Sequence, residues 1–276
     1  MRHDGWMQWL AVGEPAIPEG TGWLSAAEAA RAATMRFTKR RTEYRLRRLA
    51  AKRAVSAVLG RPVDERSLAT VEVLNRRGGA PFVTVDGADV GLEVSLTDRA
   101  GWAVCLVGVA AEFGRADSTG PPAGWVPGTP LPGSLGVDLE AVEPRSTSFV
   151  ADYFTTTEQE WTRAQGAPGS EGWQVATNLV WSAKESALKV LRVGLRADTR
   201  VVEITVGKAA GADGWAPLTA RTVRGDVFPG WWRRDGHFLL TLASTGTQPP
   251  PHLLPAGDDL ASGTPMHTWL ARPLAD

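Results

Sequence analysis

The chain has 276 residues, of which 43% are hydrophobic and 22% charged, and its formal net charge is zero. This composition is typical of a folded globular protein and excludes a largely disordered one. The single cysteine, Cys105, excludes an intramolecular disulfide and a cysteine-based metal site. No apolar run approaches the length that spans a bilayer, and the N-terminus lacks the apolar region of a signal peptide. We therefore expect a soluble cytoplasmic protein with no membrane partner.

The first strong pattern is a helix, a short break and a second helix within residues 24–62. Ser25 and Glu28 form a predicted capping box, and Gly60 marks the end of the second helix. The window 36–53 holds nine basic residues and one acidic residue, a net charge of +8 that the rest of the chain balances. This distribution predicts a phosphate-bearing partner on one face. A nucleic-acid-binding helix is an alternative, which the overall neutrality disfavours.

Strand patterns follow the helices, and a break rich in glycine, proline and serine covers residues 114–134. Beyond it we predict a strand at 135–144, helices at about 148–165 and 174–192, and three further strands. The predicted strands are 69–75, 80–85, 91–97 and 101–111 in the first half and 200–206, 217–223 and 237–244 in the second.

These elements predict an α+β fold with two similar lobes, each with helices packed on a small, mainly antiparallel sheet. The predicted domains are an N-terminal lobe at 1–134, which includes the linker, and a C-terminal lobe at 135–245. We expect the proline-rich tail at 246–276 to be loosely attached.

Acidic and basic side chains in two segments of the second lobe are candidates for chemistry. In "GVDLE", Asp138 and Glu140 stand two apart, which places both carboxylates on one face of a strand. In "WSAKESALKV", Glu185 and Lys189 are helical i,i+4 neighbours, whereas Lys184 projects from the apolar side, where a lysine must find an anion or reach water. Each feature alone is more typical of a polar surface. Together, the three carboxylates could converge on Mg²⁺, with Mn²⁺ as an alternative.

The ordered set "GVDLE", "DYFTTTEQEW" and "WSAKESALKV" resembles the signature motifs of the surfactin-synthetase-type 4′-phosphopantetheinyl transferases. The upstream basic segment "MRFTKRR" also resembles that family's substrate-binding region, and the resemblance covers about residues 22–245. It implies a pseudo-twofold molecule with the active site in the cleft between the lobes, so that a monomer suffices. It also implies Mg²⁺-dependent transfer of phosphopantetheine from coenzyme A to a serine of an apo acyl or peptidyl carrier protein, with release of 3′,5′-ADP.

The resemblance implies a role for each matching residue. Asp138, Glu140 and Glu185 would hold the metal, and Glu185, or a water it orients, would help to deprotonate the serine. Lys189 would stabilise or protonate the departing 3′,5′-ADP, and Lys184 would contact phosphate. The candidates for binding the adenosine phosphates are Arg40, Arg41, Arg45, Lys52 and Arg53.

Two positions depart from the family pattern at the nucleotide side. Ala80 stands where the family often has a lysine, for which Arg76 or Arg77 could substitute. Thr97 and Asp98 stand where the family often has Ser-His, which makes them candidates for binding the cofactor. An acid facing a phosphate is unfavourable unless Asp98 turns to ribose, adenine or Arg99. These departures leave an alternative open, a non-catalytic relative that binds coenzyme A or carrier proteins.

Overall fold

The N-terminal half begins with a strand, continues with three helices and ends with five strands. A computed structural model describes residues 7–76, 78–109, 128–194, 197–207, 211 and 213–267. The elements of the N-terminal half are β1 (Gln8–Gly13), α1 (Ala26–Ala33), α2 (Thr38–Val58), α3 (Glu65–Thr70), β2 (Val71–Asn75), β3 (Pro81–Val85), β4 (Ala88–Asp89), β5 (Leu92–Arg99) and β6 (Trp102–Val109). Most of the predicted linker lies outside the described residues, so the boundary at 134 stays a prediction.

The C-terminal half repeats the order of strand, helices and strands. Its elements are β7 (Leu135–Ala141), α4 (Thr147–Tyr153), α5 (Thr156–Gln165), α6 (Glu171–Val190), β8 (Val202–Val206), β9 (Ala216–Thr222), β10 (Val227–Asp235) and β11 (Phe238–Ser244), and β12 (His252–Leu253) follows. The sequence patterns missed α3, β1, β4, β10 and β12, and they joined α4 and α5 into one helix. The chain is extended at Phe154 and Thr155, and Thr155 caps α5.

The predicted capping box at the start of α1 is present, and a second box stands at the start of α5. The Ser25 side chain accepts a hydrogen bond from the backbone N–H of Glu28, whose side chain accepts from Ser25 N–H in return. Thr155 and Glu158 make the same reciprocal pair at the start of α5. These pairs satisfy N–H groups that a helix start leaves without partners, which explains why each helix begins where it does.

The strands form three sheets, in the orders β12-β1-β6-β5, β2-β3-β4 and β7-β11-β10-β9-β8. Their pairings are antiparallel, except that β12 runs parallel to β1. Helices packed on small antiparallel sheets confirm the predicted α+β class.

Three apolar clusters hold the layers together. One packs α2 against β1 and β6 and includes Leu49 and the buried thiol Cys105. Another packs α6 against β8, β9 and β10 and includes Phe228. The third joins the two halves, because side chains of β1 and β6 such as Trp9 and Leu106 meet side chains of β7 and β11. The two halves therefore share a buried apolar interface.

The tail is more firmly attached than its proline-rich composition suggested. His252 N–H donates to Met7 O at 2.9 Å and Leu254 N–H donates to Trp9 O at 2.8 Å, so this segment covers the free edge of β1. Leu254 and Leu260 are 6% and 3% exposed and belong to the apolar clusters. The expectation of a loose tail is wrong up to residue 267, because β1 offers an edge that needs a partner.

Among the described residues, no helix combines the length and apolar character that crossing a membrane requires.

Candidate functional site

A cavity of about 1150 Å³ lies between the two halves, and we call it the central cavity. Helix α2 and strand β5 line it from the N-terminal half, whereas β7 and α6 line it from the C-terminal half. Four charged motif residues stand on its wall: Asp138, Glu140, Glu185 and Lys189. The structure thus brings together the two segments that the sequence analysis singled out.

Glycine in the "GVDLE" motif explains how β7 and α6 meet so closely. A Cβ on Gly136 would lie 1.9 Å from the carbonyl oxygen of Ser186 on α6, which is a severe clash. The missing side chain lets the helix approach the strand, and Lys189 can then donate to Val137 O at 2.7 Å and to Asp138 Oδ1 at 2.8 Å. The lysine that spacing alone pairs with Glu185 is therefore bound to Asp138.

Glu140 lies among three donors. Its Oε2 is 3.1 Å from Arg99 Nε and 3.2 Å from Arg145 Nη2. Its Oε1 accepts a hydrogen bond of 3.1 Å from the indole N–H of Trp181, the first residue of the "WSAKESALKV" segment. Glu140 is only 7% exposed, so these contacts compensate a carboxylate that burial would otherwise penalise.

Burial and the charge of Asp138 raise the pKa of two glutamates of the central cavity. Burial, followed by the charge of Asp138, raises the pKa of Glu140 to about 7. The same two causes raise the pKa of Glu185 to about 7, although Lys189 opposes them. A divalent cation would relieve this crowding of negative charge, because it favours the ionised form of each carboxylate.

The donor chemistry fits a hard cation such as Mg²⁺, which takes carboxylate oxygens and water as ligands. Asp138 Oδ2 is buried and has no hydrogen-bond partner, so it is one oxygen free to accept a metal. However, within the described parts of the chain no group of three or more histidine, cysteine or acidic side chains is arranged to hold a metal ion. In the structure, the carboxylates are neutralised by side chains instead: Lys189 forms an ion pair with Asp138, and Arg99 and Arg145 form ion pairs with Glu140.

Thr97 supports Asp138 across the boundary between the halves. Its hydroxyl donates to Asp138 Oδ1 at 3.0 Å and accepts from the backbone N–H of Leu139 at 3.2 Å. Ser95, two residues earlier on β5, accepts from Val137 N–H at 3.0 Å. Thr97 was predicted to bind the cofactor, but the structure shows that its hydroxyl is occupied by β7.

Asp98 does not leave an unpaired acid in the central cavity. It forms an ion pair with Arg47 of α2, rather than with Arg99 as the sequence analysis considered. Arg99 instead donates from Nη2 to Glu143 Oε2 at 2.7 Å. Because the two side chains lie on the same wall, Asp98 holds a guanidinium at the central cavity instead of repelling an anionic ligand from it.

The basic residues predicted to bind adenosine phosphates do not line the central cavity. Arg40 is exposed, Arg41 donates to Met35 O, and Arg45 donates to Gly20 O. Arg53 Nη1 lies 3.7 Å from Asp258 Oδ1 in the tail. Arg76 stacks 5.2 Å from the ring centre of Phe82. Arg77 lies outside the described residues.

Lys52 and Lys184 require a direct correction, because both are completely buried. Lys184 Nζ lies 2.8 Å from Glu158 Oε2 and donates to Thr199 O at 3.0 Å. Lys52 Nζ lies 2.7 Å from Glu28 Oε2 and donates to Leu68 O at 2.8 Å. Neither ammonium group is accessible to a phosphate in the central cavity, so the predicted phosphate contacts are wrong.

Four arginines that the sequence analysis did not select line the central cavity instead: Arg31, Arg47, Arg48 and Arg192. Arg48 donates to Asn75 Oδ1 and lies 4.5 Å from the ring centre of Tyr44. Arg192 Nη2 lies 2.7 Å from Glu93 Oε1 across the cavity and has a positive φ of 56°. Tyr44, Arg47 and Arg48 have i,i+3,i+4 spacing, so the sequence could have indicated that they share the face of α2 that lines the cavity.

A family model matches part of the C-terminal half, which contains the carboxylate motifs. Residues 134–214 match the family model described as the 4′-phosphopantetheinyl transferase superfamily. This segment contains β7, α5 and α6 with all three motifs. The match confirms the predicted enzyme class, a phosphopantetheinyl transferase, on the C-terminal half of the chain.

Solved structures and curated proteins add little. The holo-[acyl-carrier-protein] synthase of Thermotoga maritima is similar at 23% identity with a TM-score of 0.32, over 55% of this chain and 74% of that one. A similarity of this size carries no argument about function. The comparison with curated proteins gives no match.

Proposed function

We propose that the chain transfers 4′-phosphopantetheine from coenzyme A to a serine hydroxyl of an apo acyl or peptidyl carrier protein, releasing 3′,5′-ADP, as in the surfactin-synthetase type of the superfamily. The observation that carries the proposal is the meeting of Asp138, Glu140, Glu185 and Lys189 at one cavity. Carboxylates beside a lysine and several arginines suit the transfer of a phosphoryl-linked group, in which charge must be neutralised and a hydroxyl activated.

Each residue of the carboxylate set has a separate role in this proposal. Asp138, Glu140 and Glu185 would hold Mg²⁺, or Mn²⁺ in its place, and the bound metal would neutralise charge on the diphosphate of coenzyme A. Glu185 accepts the proton of the carrier serine, directly or through a water molecule. Lys189, held by Asp138 and Val137, faces the leaving 3′,5′-ADP and offsets its negative charge.

The nucleotide is assigned to the arginines of the N-terminal half. Arg31, Arg47 and Arg48 bring positive charge to the wall that also contains Gly79 and Ala80. Arginine binds phosphate in a planar, bidentate manner, so Arg31 and Arg47 can replace the lysine and histidine that the family pattern has there, whereas Arg48, which is only 4% exposed, contributes its charge. Both walls of the central cavity come from one chain, which supports a monomer.

Mass spectrometry tests the proposal directly. The purified protein is incubated with an apo carrier domain, coenzyme A and Mg²⁺, and the carrier is weighed. We expect a mass gain of one phosphopantetheine, which a serine-to-alanine carrier should not show and which excess chelator should prevent. No mass gain on any of several acyl and peptidyl carriers would contradict the proposed function.

A further inference from the structure

Lys184 stands directly before Glu185 in the chain, yet its side chain points away from the central cavity into the protein. We propose that Lys184 is a positioning residue for Glu185: its buried ammonium group fixes α6 in the orientation that presents Glu185 to the central cavity. The inference rests on the proposed function and deepens it by naming what holds the reacting carboxylate in place.

The contacts of Lys184 come from α5 and from the start of β8. Its Nζ is bound by Glu158 of α5 and by the carbonyl oxygens of Thr199 and Val202, which lie just before and at the start of β8. Glu158 in turn accepts N–H groups from Thr155 and from Ile204 of β8. One buried pair therefore ties α6, α5 and β8 together, and we call it the Lys184 clamp.

The opposite side of α6 is fixed independently. Ser182 and Ser186 each form a hydrogen bond with the hydroxyl of Thr241 on β11, at 2.9 and 2.8 Å. Successive residues of an α-helix are about 100° apart, so a helix fixed at residues 182, 184 and 186 leaves little rotational freedom for Glu185. A misplacement of about 1 Å can cost a reaction about a hundredfold in rate, which makes this orientation valuable.

The N-terminal half contains the same device without a carboxylate to position. Lys52 of α2 pairs with Glu28, which caps α1 and accepts Val73 N–H of β2. Leu68 O and Val71 O bind the Lys52 ammonium group. Even the outer hydrogen bonds correspond, since Ser25 donates to Glu72 as Thr155 donates to Glu203. The residue after Lys52 is Arg53, which faces Asp258 of the tail. This Lys52 clamp is a matched control within the same molecule.

The test compares Lys184→Met with Lys52→Met, each of which removes a buried ammonium group and keeps a side chain of similar length. Wild-type transfer is measured first, so that a failure of the proposed function is recognised by the absence of any transfer. We expect Lys184→Met to lower kcat at least tenfold while KM for coenzyme A stays within threefold. Lys52→Met should leave kcat within threefold, although both variants lose thermal stability.

A double-mutant cycle separates positioning from a general loss of structure. If Lys184 acts through Glu185, Lys184→Met should have almost no further effect on kcat in a Glu185→Gln background. Should either single lysine variant fail to fold, the paired changes Lys184→Met with Glu158→Gln and Lys52→Met with Glu28→Gln replace them, because removing both charges leaves neither member of the lysine–glutamate pair as an unpaired buried ion. Arg48, whose Nε lies 4.0 Å from Glu28 Oε1, keeps its hydrogen bond to Asn75.

Three results would overturn the inference. A rise in KM for coenzyme A with unchanged kcat would mean that Lys184 touches phosphate. Equal losses of kcat in the Lys184 and Lys52 variants would mean that both clamps are merely structural. If Lys184→Met lowers kcat as much in the Glu185→Gln background as in the wild type, Lys184 does not act through Glu185.

Discussion

The two halves of the chain share one framework and differ in what they attach to it. In each half, the glutamate of a capping box forms an ion pair with a buried lysine of the long helix. The pairs are Glu28 with Lys52 and Glu158 with Lys184. In the C-terminal half the lysine is followed by Glu185 and, five positions on, by Lys189. In the N-terminal half Arg53 and Ala57 occupy those places. The comparison teaches that the framework fixes helix orientation in both halves, whereas only the cavity-facing residues of one half supply the proposed chemistry.

The halves also contribute opposite charges to the central cavity. The C-terminal half brings the carboxylates Asp138, Glu140 and Glu185, and the N-terminal half brings Arg31, Arg47 and Arg48. This division suits a ligand that carries a diphosphate, which a metal on carboxylates can bind, and a separate phosphate, which arginine can bind. Four predictions test whether the two halves have different functions but the same stabilising framework.

The largest expected effect separates Glu185 from its counterpart Arg53. Glu185→Gln should lower kcat by about 10³-fold, because a general base contributes roughly 10² to 10⁴ in rate. Arg53→Gln should change kcat less than threefold, since Arg53 does not line the central cavity. Single-turnover transfer to a carrier protein, followed by mass spectrometry, measures both. A Glu185→Gln rate near that of the wild type would remove the proposed base from α6.

The next effect concerns two glycines, one on the first strand of each half. Gly136→Ala should destabilise the protein by about 3 kcal/mol, because the added Cβ would meet Ser186 O at 1.9 Å. Gly13→Ala should cost less than about 1 kcal/mol, since its Cβ would have no neighbour closer than 3.5 Å. Urea unfolding followed by tryptophan fluorescence gives both values. Equal losses would show that the close approach of β7 and α6 is not required.

A tenfold effect is expected for the arginines of the N-terminal half. Arg47→Ala should raise KM for coenzyme A about tenfold, an energy of about 1.4 kcal/mol. With 3′-dephospho-coenzyme A, which lacks the phosphate proposed to contact Arg47, the same change should have little effect. Arg40→Ala, exposed and outside the central cavity, is the control. An equal rise in KM for both substrates would place the phosphate elsewhere.

The smallest effects should agree between the halves. Ser25→Ala and Thr155→Ala each remove a helix cap and a hydrogen bond to a glutamate, so each should cost about 1 kcal/mol of unfolding free energy. The two caps are far apart in the chain and share no partner, so their losses should add in the double variant. Chemical denaturation measures all three variants. A difference above about 1 kcal/mol between the two single changes would show that the frameworks are not equivalent in strength.

Sequence patterns selected carboxylates that the structure brings to one cavity, but they assigned the wrong partner to Lys184 and Lys52. Alternation along "GVDLE" put Asp138 and Glu140 on one face, and both line the central cavity. The helical wheel showed that Lys184 lies on the apolar side and needs an anion, but it could not say that the anion was Glu158, 26 residues earlier. Choosing a phosphate rather than a protein carboxylate was therefore the error. The same error affected Lys52, whose partner Glu28 had been assigned only to a cap.

The sequence by itself determined the α+β class, the capped helix starts, the motif residues of the C-terminal half and, through them, the enzyme class. The fold class and the helix starts follow from periodicity and capping, which act over a few residues, whereas the enzyme class follows from the resemblance of the motifs to those of a known family. Only the tertiary structure decided that Lys189 holds Asp138, that Asp98 holds Arg47 and that the tail pairs with β1. Such partners are set by which elements pack together, and packing between segments far apart in the chain leaves no local pattern to read.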